Sequence, residues 1–229
     1  MLDLYLGGIL PLYKAFVVPH RHKKTANKTK NTQESTIRII AGHWRGRKIK
    51  VLCEDGLRPT GDRLREVLFN WLMADINGAR ILDLFAGTGA LGLEALSRGA
   101  KSADFVESNI RAATQLKATL TALASGSEQS QIQWRVHSAD ANKWVSNDTS
   151  SPAPFDIVFI DPPFADDLWQ TSLEALSQSS VLKHGTLIYI EHPSNVQPSM
   201  LPELHLKKSK RAGSVTMNLY EYLNTRHGE

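Results

Sequence analysis

The fold is decided by one stretch of the sequence, Ile81-Leu82-Asp83-Leu84-Phe85-Ala86-Gly87-Thr88-Gly89-Ala90-Leu91-Gly92. Its apolar start has the length of a strand, and its continuation after Gly89 has helical character, so the stretch predicts strand, tight turn and helix. Glycine allows the turn and lets a ligand approach the backbone closely, and a helix start offers free N–H groups. The glycine spacing alone also matches a dinucleotide site, but that match is weak.

Length and composition favour one α/β domain with extensions. The chain has 229 residues, of which 41% are hydrophobic and 22% charged, as in ordinary globular proteins. Cys53 is the single cysteine, which excludes an internal disulfide and a two-cysteine metal site. We therefore expect no metal site and a reducing, cytoplasmic location.

Positive charge is concentrated near the N-terminus. Residues 20–50 contain ten Lys or Arg and one acid, Glu34, which gives this segment +9. The whole chain carries +4, so the remainder carries −5. A basic arm on an acidic body favours a polyanionic partner, although a solvated tail is the alternative.

The first 35 residues predict a flexible basic extension. Residues 1–19 are apolar but are broken by Asp3, Gly7, Gly8 and Pro11, so they fit neither a secretory signal nor a membrane span. They are either an upstream extension or an interaction segment. Residues 20–36 are polar and basic, which predicts disorder.

Residues 36–76 predict a β-hairpin and a helix packed on the core. Two short strands flank Gly42-His43-Trp44-Arg45-Gly46-Arg47. Indole and guanidinium groups suit stacking on RNA bases, so Trp44, Arg45 and Arg47 are candidate RNA contacts. A surface hairpin with Trp44 packed on the body is the alternative.

The helix after this hairpin starts in a polar segment. Leu64, Val67, Leu68, Trp71 and Leu72 follow helical spacing, with Thr60 or Asp62 available as the N-cap. Many polar side chains lie at the start of this helix, namely Arg58, Thr60, Asp62, Arg63, Arg65 and Glu66. Such a segment suits a lid that closes over a ligand on the glycine turn. Helix capping explains part of this polarity.

From residue 77 to the C-terminus, strands alternate with helices. Strands are predicted at residues 81–84, 103–107, 132–137, 155–160 and 186–191, with helices at 90–97, 109–124, 139–145 and 168–178. The strands are too apolar for one-sided exposure, which predicts a mostly parallel sheet covered by helices on both faces. Ligands of such sheets bind beyond the carboxyl ends of the strands, where Asp83, Glu107, Asp140 and Asp161 would lie.

Three of these acids suggest a nucleotide-like ligand. Glu107 follows Gly87 by 20 residues, a spacing at which a strand-end acid can bind ribose. Asp140 could cap the next helix or hold the amino group of an adenine, and Ala141 leaves room for a flat ring. Asp83 stands where dehydrogenases carry an apolar residue, and it suits an amine-bearing ligand.

Asp161-Pro162-Pro163-Phe164 is the most specific motif. Two prolines fix the backbone and remove two N–H donors, so the Asp161 carboxylate and the Pro162 carbonyl form a rigid pair of acceptors. Phe164 adds a flat apolar face. A planar base with an exocyclic amine fits this arrangement, with its nitrogen lone pair turned towards an electrophile; a stiff turn with a buried aromatic is the alternative.

These motifs resemble a known enzyme family. Asp-x-Phe-x-Gly-x-Gly followed by Asp-Pro-Pro-Phe resembles the S-adenosylmethionine-dependent amino-methyltransferases of nucleic acids. More narrowly, three segments resemble the bacterial 16S ribosomal RNA guanine-N2 methyltransferase D family, namely residues 38–47, 57–66 and 84–99. The resemblance covers about residues 36–222.

The resemblance implies a fold, a cofactor and a target. The implied fold is a Rossmann-like, seven-stranded class I methyltransferase sheet, mostly parallel with an antiparallel C-terminal hairpin at residues 204–210 and 215–222. The implied cofactor is S-adenosylmethionine, with S-adenosylhomocysteine as product. The implied target is the N2 amine of guanine 966 in 16S rRNA, within an assembling small ribosomal subunit, and the enzyme is expected to be a monomer.

The resemblance also implies residue roles. Asp161 and Pro162 would orient the target amine while Phe164 stacks on the base. Cofactor contacts are expected from the glycine turn, the strand-end acids and the N-terminal lid, namely Asp83, Phe85, Ala86, Gly87, Thr88, Gly89, Glu107, Asp140, Ala141, Asp161, Thr60, Asp62 and Arg63. RNA contacts are expected from Trp44, Arg45, Arg47 and Arg58.

Three other functions compete with this interpretation. An adenine-N6 or other nucleic-acid amino-methyltransferase would use the same chemistry. A nicotinamide-dependent oxidoreductase shares the glycine pattern but leaves Asp83 and the paired prolines unexplained. A non-catalytic RNA-binding module explains the basic arm but not the acids at the ligand edge.

Overall fold

A seven-stranded sheet forms the centre of the fold. The computed structural model describes residues 36–51, 61–125, 132–147, 153–163, 168–196 and 198–224. All of them belong to one compact unit, Glu34–Glu229. The expected extension at residues 1–35 lies outside the described residues, and a domain boundary at residues 76/77 stays a prediction.

Nine strands and five helices are found in the described part of the chain. The strands are β1 (Thr36–Arg38), β2 (Lys48–Lys50), β3 (Arg80–Asp83), β4 (Ser102–Glu107), β5 (Gln133–Ser138), β6 (Ile157–Ile160), β7 (Thr186–Pro193), β8 (Leu204–Ala212) and β9 (Val215–Tyr222). The helices are α1 (Asp62–Trp71), α2 (Ala90–Ser97), α3 (Ile110–Ala124), α4 (Ala141–Ser146) and α5 (Leu168–Ser177). The predicted alternation of strands and helices is confirmed.

The strand order of the large sheet is β5-β4-β3-β6-β7-β9-β8. The first five of these strands run parallel, and β9 pairs antiparallel with both β7 and β8. The chain leaves β3 towards β4 and β5 on one side, and β6 and β7 extend the sheet on the other. The order therefore reverses between β3 and β6, which is where ligands of open α/β sheets bind.

Both faces of this sheet are covered. One core cluster contains Ile81, Phe105 and Phe159 together with residues of α1, α2 and α3. The other contains Leu82 and Val158 with residues of α4 and α5. Alternate strand residues thus enter opposite cores, which explains the continuous apolar runs in the sequence. We call the face that carries Phe159 the α1 face.

Trp44 belongs to the core of the α1 face, and its side chain is only 3% exposed. Its ring is therefore not available to stack on an RNA base, so the prediction of an RNA contact by Trp44 is wrong and the packed alternative is correct. The sequence pattern wrongly indicated an exposed indole, because Arg45 and Arg47 follow Trp44 closely. Arg45 and Arg47 are exposed.

The turn between β1 and β2 is fastened to α2 through Glu94. The Glu94 carboxylate is fully buried and accepts hydrogen bonds from the backbone N–H groups of Ile40 at 2.7 Å and Ala41 at 3.0 Å. It also accepts one from Nε of Arg98 at 2.7 Å. Because a buried charge must be paired, this carboxylate fixes the hairpin on the helix that begins at the glycine turn.

Arg65 was expected near the ligand, but it is a core residue. Its side chain is fully buried, and Nη2 donates to the Arg38 carbonyl at 2.8 Å and to Oδ1 of Asp62 at 2.7 Å. Nη1 lies 3.8 Å from Oε2 of Glu94. The N-cap of α1 is Gly61, without a side-chain cap, rather than Thr60 or Asp62. Asp62 instead pairs with Arg65.

Gly42 tests the contact between the hairpin and α2. Its φ is +82°, and a Cβ at this position would lie 1.7 Å from the carbonyl oxygen of Ser97. Gly46 has the same φ of +82° but open space around it. Both Gly→Ala changes carry the positive-φ penalty of about 1–2 kcal/mol, and Gly42→Ala adds an overpacking cost of about 1–3 kcal/mol.

We therefore expect Gly42→Ala to lower the free energy of unfolding in urea clearly more than Gly46→Ala. The Gly46 variant is the matched control, because it changes the backbone preference without creating the clash. Equal losses in the two variants would contradict the packing of residues 41–44 on α2.

Candidate active site

Four acidic residues lie at the carboxyl ends of four adjacent strands. Glu107 ends β4, Asp83 ends β3, Asp161 follows β6 by one residue, and Glu191 lies near the end of β7. Asp83 alternates with Ile81, and Glu191 alternates with Tyr189, so both side chains are on the α1 face. This edge is also where the glycine turn emerges, as the sequence predicted.

The glycine turn is closed by backbone hydrogen bonds. Gly87 and Gly89 have φ of +52° and +78°, which other residues rarely adopt. The N–H of Gly89 donates to the Ala86 carbonyl at 2.6 Å, and the N–H of Ala86 donates to the Val106 carbonyl on β4 at 2.9 Å. The turn is thereby held against β4, next to Glu107.

Glu107 is bound to this turn directly. Its Oε2 accepts a hydrogen bond from the N–H of Gly87 at 2.7 Å, and its Oε1 accepts one from the N–H of Asn109 at 2.7 Å. The side chain is half-buried. A carboxylate has about four acceptor sites, so Glu107 can still receive hydroxyl groups from a ligand on the turn.

Asp83 has an unusual pKa for a carboxylic acid. Its side chain is 2% exposed, and Oδ2 accepts a hydrogen bond from the N–H of Gly92 at 2.9 Å. Burial raises its pKa to about 7, the Gly92 hydrogen bond opposes this rise, and the neighbouring charges of Asp161 and Glu107 add to it. Asp83 would become ionised most readily beside a cationic ligand group.

Asp83 and Asp161 lie on either side of the point between β3 and β6 where the strand order reverses. The parallel pairing of β3 with β6 places Asp83 opposite Phe159, two residues before Asp161. The Asp161 side chain is half-buried and Pro162 is buried. Asp161 also acts electrostatically on Tyr189, whose pKa is raised well above its ordinary value by burial, Glu191 and Asp161. Phe164 lies outside the described residues.

Asp140 caps α4, which was one of its two expected roles. Its Oδ1 accepts a hydrogen bond from the N–H of Lys143 at 3.0 Å, and its side chain is exposed, whereas Ala141 is buried. Contact of Asp140 and Ala141 with an adenine stays a prediction.

The expected lid is described only in part. Asp62 and Arg63 are exposed at the start of α1, while Thr60 and Arg58 lie outside the described residues. Ring packing fixes the helix over the strand that precedes Asp161, because Phe69 of α1 meets Phe159 of β6 with centroids 6.1 Å apart.

Within the described residues, no helix is long and apolar enough to cross a membrane. No group of three His, Cys, Asp or Glu in those residues could hold a metal ion.

Comparison with known proteins identifies the family. Residues 37–221 match the model of the family described as conserved hypothetical protein 95. The ribosomal RNA small subunit methyltransferase D of Haemophilus influenzae is 45% identical over 186 residues, which cover 81% of this chain and 93% of that protein. The chain belongs to the ribosomal RNA small subunit methyltransferase D family.

Solved structures of methyltransferases have the same fold as this member of the methyltransferase D family. The structure of yhhF from Escherichia coli is 38% identical, has a TM-score of 0.72, and covers 83% of this chain and 100% of that one. A 16S rRNA N2 methyltransferase (RsmC) of T. thermophilus, solved with AdoMet and guanosine, shares the fold at 19% identity and a TM-score of 0.58, covering 83% of this chain and 50% of that one. The predicted class I methyltransferase fold is confirmed.

Glu191 lies at the same edge of the sheet as Asp83, Glu107 and Asp161, and the sequence analysis did not single it out. Glu191 is 5% exposed, and its Oε2 accepts a hydrogen bond from the Tyr189 hydroxyl at 2.8 Å. The available signal was an acid closing the predicted strand at residues 186–191, the same pattern that singled out Glu107.

The raised pKa of Asp83 predicts how the unliganded protein responds to pH. The folded pKa of about 7 lies above the ordinary value of 3.8, so the folded state retains a proton that the unfolded state releases. Stability is therefore lost as the pH rises from about 4 to about 7. At about 1.4 kcal/mol per pKa unit, the full loss is on the order of 4 kcal/mol.

We expect Asp83→Asn to become progressively more stable than wild type over this pH range, because the amide cannot ionise. Urea unfolding of both proteins at pH 5, 6, 7 and 8 measures the difference. A stability difference that does not change with pH would show that Asp83 titrates like an exposed acid.

Proposed function

We propose that this protein uses S-adenosylmethionine to methylate the N2 amine of guanine 966 in the 16S rRNA of the small ribosomal subunit. Membership of the methyltransferase D family supports methylation of ribosomal RNA. The observation that carries the proposal is the position of Asp161. It follows β6 on the edge where Asp83, Glu107 and the glycine turn lie, and its negative charge contributes to the raised pKa of Asp83.

The chemistry of the residues around the turn fits the cofactor. Two glycines with positive φ bring the backbone close to a ligand, and Glu107 offers acceptors to ribose hydroxyls. Asp83 would hold the ammonium of the methionine part, where a positive charge favours the ionised carboxylate. Phe85 and Thr88 are half-buried beside the turn. Asp140, Ala141, Asp62 and Arg63 complete the proposed cofactor contacts, with Thr60 as a further candidate.

The same edge has groups that can prepare an amine for methylation. S-adenosylmethionine, when bound, supplies an electrophilic methyl group on a sulfonium. The Asp161 carboxylate and the Pro162 carbonyl would accept hydrogen bonds from the two N2 protons and aim the nitrogen lone pair at that methyl group. Because this lone pair is delocalised into guanine, positioning supplies most of the catalysis. The amine becomes acidic once methylated, so Asp161 need not be a strong base.

Glu191 gives a reason for guanine rather than adenine. Guanine presents two adjacent donors, N1–H and the N2 amine, whereas N1 of adenine is an acceptor. Asp161 and Glu191 lie on adjacent parallel strands, since Ile160 pairs with Ile190 in register. Two neighbouring carboxylates match the donor pair of guanine and repel the N1 lone pair of adenine.

The RNA side of the proposal rests on exposed cations near the N-terminus. Arg45 and Arg47 are exposed on the hairpin turn and are available to phosphates or bases, and Arg58 is a further candidate. We propose an assembling small-subunit particle as the substrate, a cytoplasmic location where that particle is built, and a monomeric enzyme.

Replacing Asp161 tests the proposed chemistry. We expect Asp161→Ala to lower kcat by about 10²–10³-fold, the usual cost of removing one preorganised polar group. Because Asp161 is also a predicted cofactor contact, calorimetry measures the affinity for S-adenosylmethionine in parallel, and kcat is compared at saturating cofactor. Single-turnover methylation of small subunits from cells lacking the enzyme, with mass spectrometry of the nucleosides, measures the rate and identifies the product.

Asp161→Asn is the matched control for this experiment. Asparagine retains one oxygen acceptor, so its loss of rate should be smaller than that of alanine. Near-wild-type turnover by Asp161→Ala, or a product other than N2-methylguanine from the wild type, would refute the proposed function.

Replacing Glu191 tests base selection. We expect Glu191→Gln to lower kcat/KM for the RNA by about 10–100-fold, since one good hydrogen-bond pair is worth about 1–3 kcal/mol of discrimination. Calorimetry should show unchanged affinity for S-adenosylmethionine. Tyr189→Phe removes only the hydroxyl that holds Glu191, and we expect a smaller effect. Unchanged kcat/KM in Glu191→Gln would exclude Glu191 from base recognition.

A further inference from the structure

The edge strand β8 is unusually basic. Its nine residues include Lys207, Lys208, Lys210 and Arg211 and no acid, and most of its side chains are exposed. It forms one border of the large sheet, because β9 is its hydrogen-bonded neighbour on the inner side. The proposed chemistry uses none of these cations.

The C-terminal half of β8 lies at the catalytic edge. β8 is antiparallel to β9, and β9 is antiparallel to β7, so β8 runs in the same direction as β7. The turn after Ala212 is joined to the end of β7, since the N–H of Ser194 donates to the Ser214 carbonyl at 2.8 Å. Lys210 and Arg211 are therefore at the same edge of the sheet as Glu191.

An irregularity in β8 decides which side chains share the face of the active site. Leu206 pairs with Tyr220, but the next pair is Lys208 with Leu219, so one residue bulges out. Leu219 and Met217 belong to the core of the α1 face. Direct partners in an antiparallel pair share a face, so Lys208 and Lys210 lie on the α1 face. Without the bulge, Lys207 and Ser209 would occupy these positions.

The register also sets the distance from the active site. Lys210 pairs with Met217, which in turn pairs with Glu191. Lys210 is thus two strand spacings, about 10 Å, from Glu191 on the same face of the sheet. Lys208 is related in the same way to Tyr189 through Leu219.

The bulged residue itself has a different role. Nζ of Lys207 lies 2.8 Å from Oε2 of Glu221, an ion pair that holds the bulge against β9. Within the described residues, neither Lys208 nor Lys210 forms an ion pair. Lysines also protect edge strands from pairing with other chains, but that protection does not require two of them to share the face of the active site.

We infer that Lys208 and Lys210 form a binding strip for the phosphates of the RNA that flanks the target guanine. This inference rests on the proposed function. A polyanion fits the strip by charge, and the position fits a strand of RNA leaving the active site, since the strip starts about two strands away from Glu191. The RNA backbone would run along the exposed border that β8 forms.

The test is the salt dependence of RNA binding. The Lys208→Gln/Lys210→Gln double variant is compared with wild type in fluorescence titrations against small subunits from cells lacking the enzyme. Each lost phosphate contact lowers the slope of log K against log salt by about 0.7 to 0.9, so we expect the slope to become shallower by about 1.4 to 1.8. Affinity for S-adenosylmethionine should not change.

Lys101→Gln/Lys117→Gln is the matched control. It removes the same charge from two exposed lysines that lie far from β8. Lys101 precedes the amino end of β4, and Lys117 is on α3. A salt slope in the β8 variant equal to that of this control or of wild type overturns the inference. Self-association of the β8 variant with an unchanged slope also overturns it, because it assigns the lysines to edge protection.

The two proposals fail in different ways. The binding titration does not depend on turnover. If the wild-type protein forms no N2-methylguanine, that result refutes the enzyme assignment alone. Methylation by the wild type with an unaltered salt slope in the β8 variant would refute the binding strip alone.

Discussion

The parallel pairing of β3 with β6 is the constraint on which the site depends. It brings Asp83 opposite Phe159 and so carries Asp161 to the end of the same sheet, although the two acids are far apart in the sequence. Burial raises the pKa of the Asp83 carboxyl to about 7, and the nearby charges of Asp161 and Glu107 add to this rise. A site that gathers carboxylates in this way is prepared for cationic and hydrogen-bond-donating ligands.

A second constraint fastens the N-terminal strands and α1 to the catalytic sheet. Glu94 is buried with partners on the hairpin and on its own helix, and Arg65 reaches it from α1. Breaking a buried ion pair by removing one partner typically costs about 3–5 kcal/mol. Because α2 begins at the glycine turn, the same helix joins the N-terminal segment to the proposed cofactor site.

The sequence predicted the parts of this structure that have a local cause. Strand length, the glycine turn and the Pro-Pro pair depend on backbone preferences within a few residues, and the glycine turn predicted α2 with the bounds observed. The bounds of β9 were implied by the family resemblance. Trp44 and Arg65 were misjudged because their environment is made by distant segments. An arginine at a polar helix start gives no sign that Arg38 and Glu94 will enclose it. Glu191 was overlooked because it has no motif around it, and only the register of β6 and β7 brings it beside Asp161.

The insertion of β9 between β7 and β8 has a consequence for how the chain is made. Among the described strands β9 comes last in chain order, yet it is an inner member of the sheet with partners on both sides. Until Tyr222 has been synthesised, β7 has an open border and β8 has nothing to pair with. Completion of the sheet must therefore wait until β9 has been synthesised, so a chain truncated before β9 would expose an apolar strand edge of the kind that aggregates or recruits chaperones.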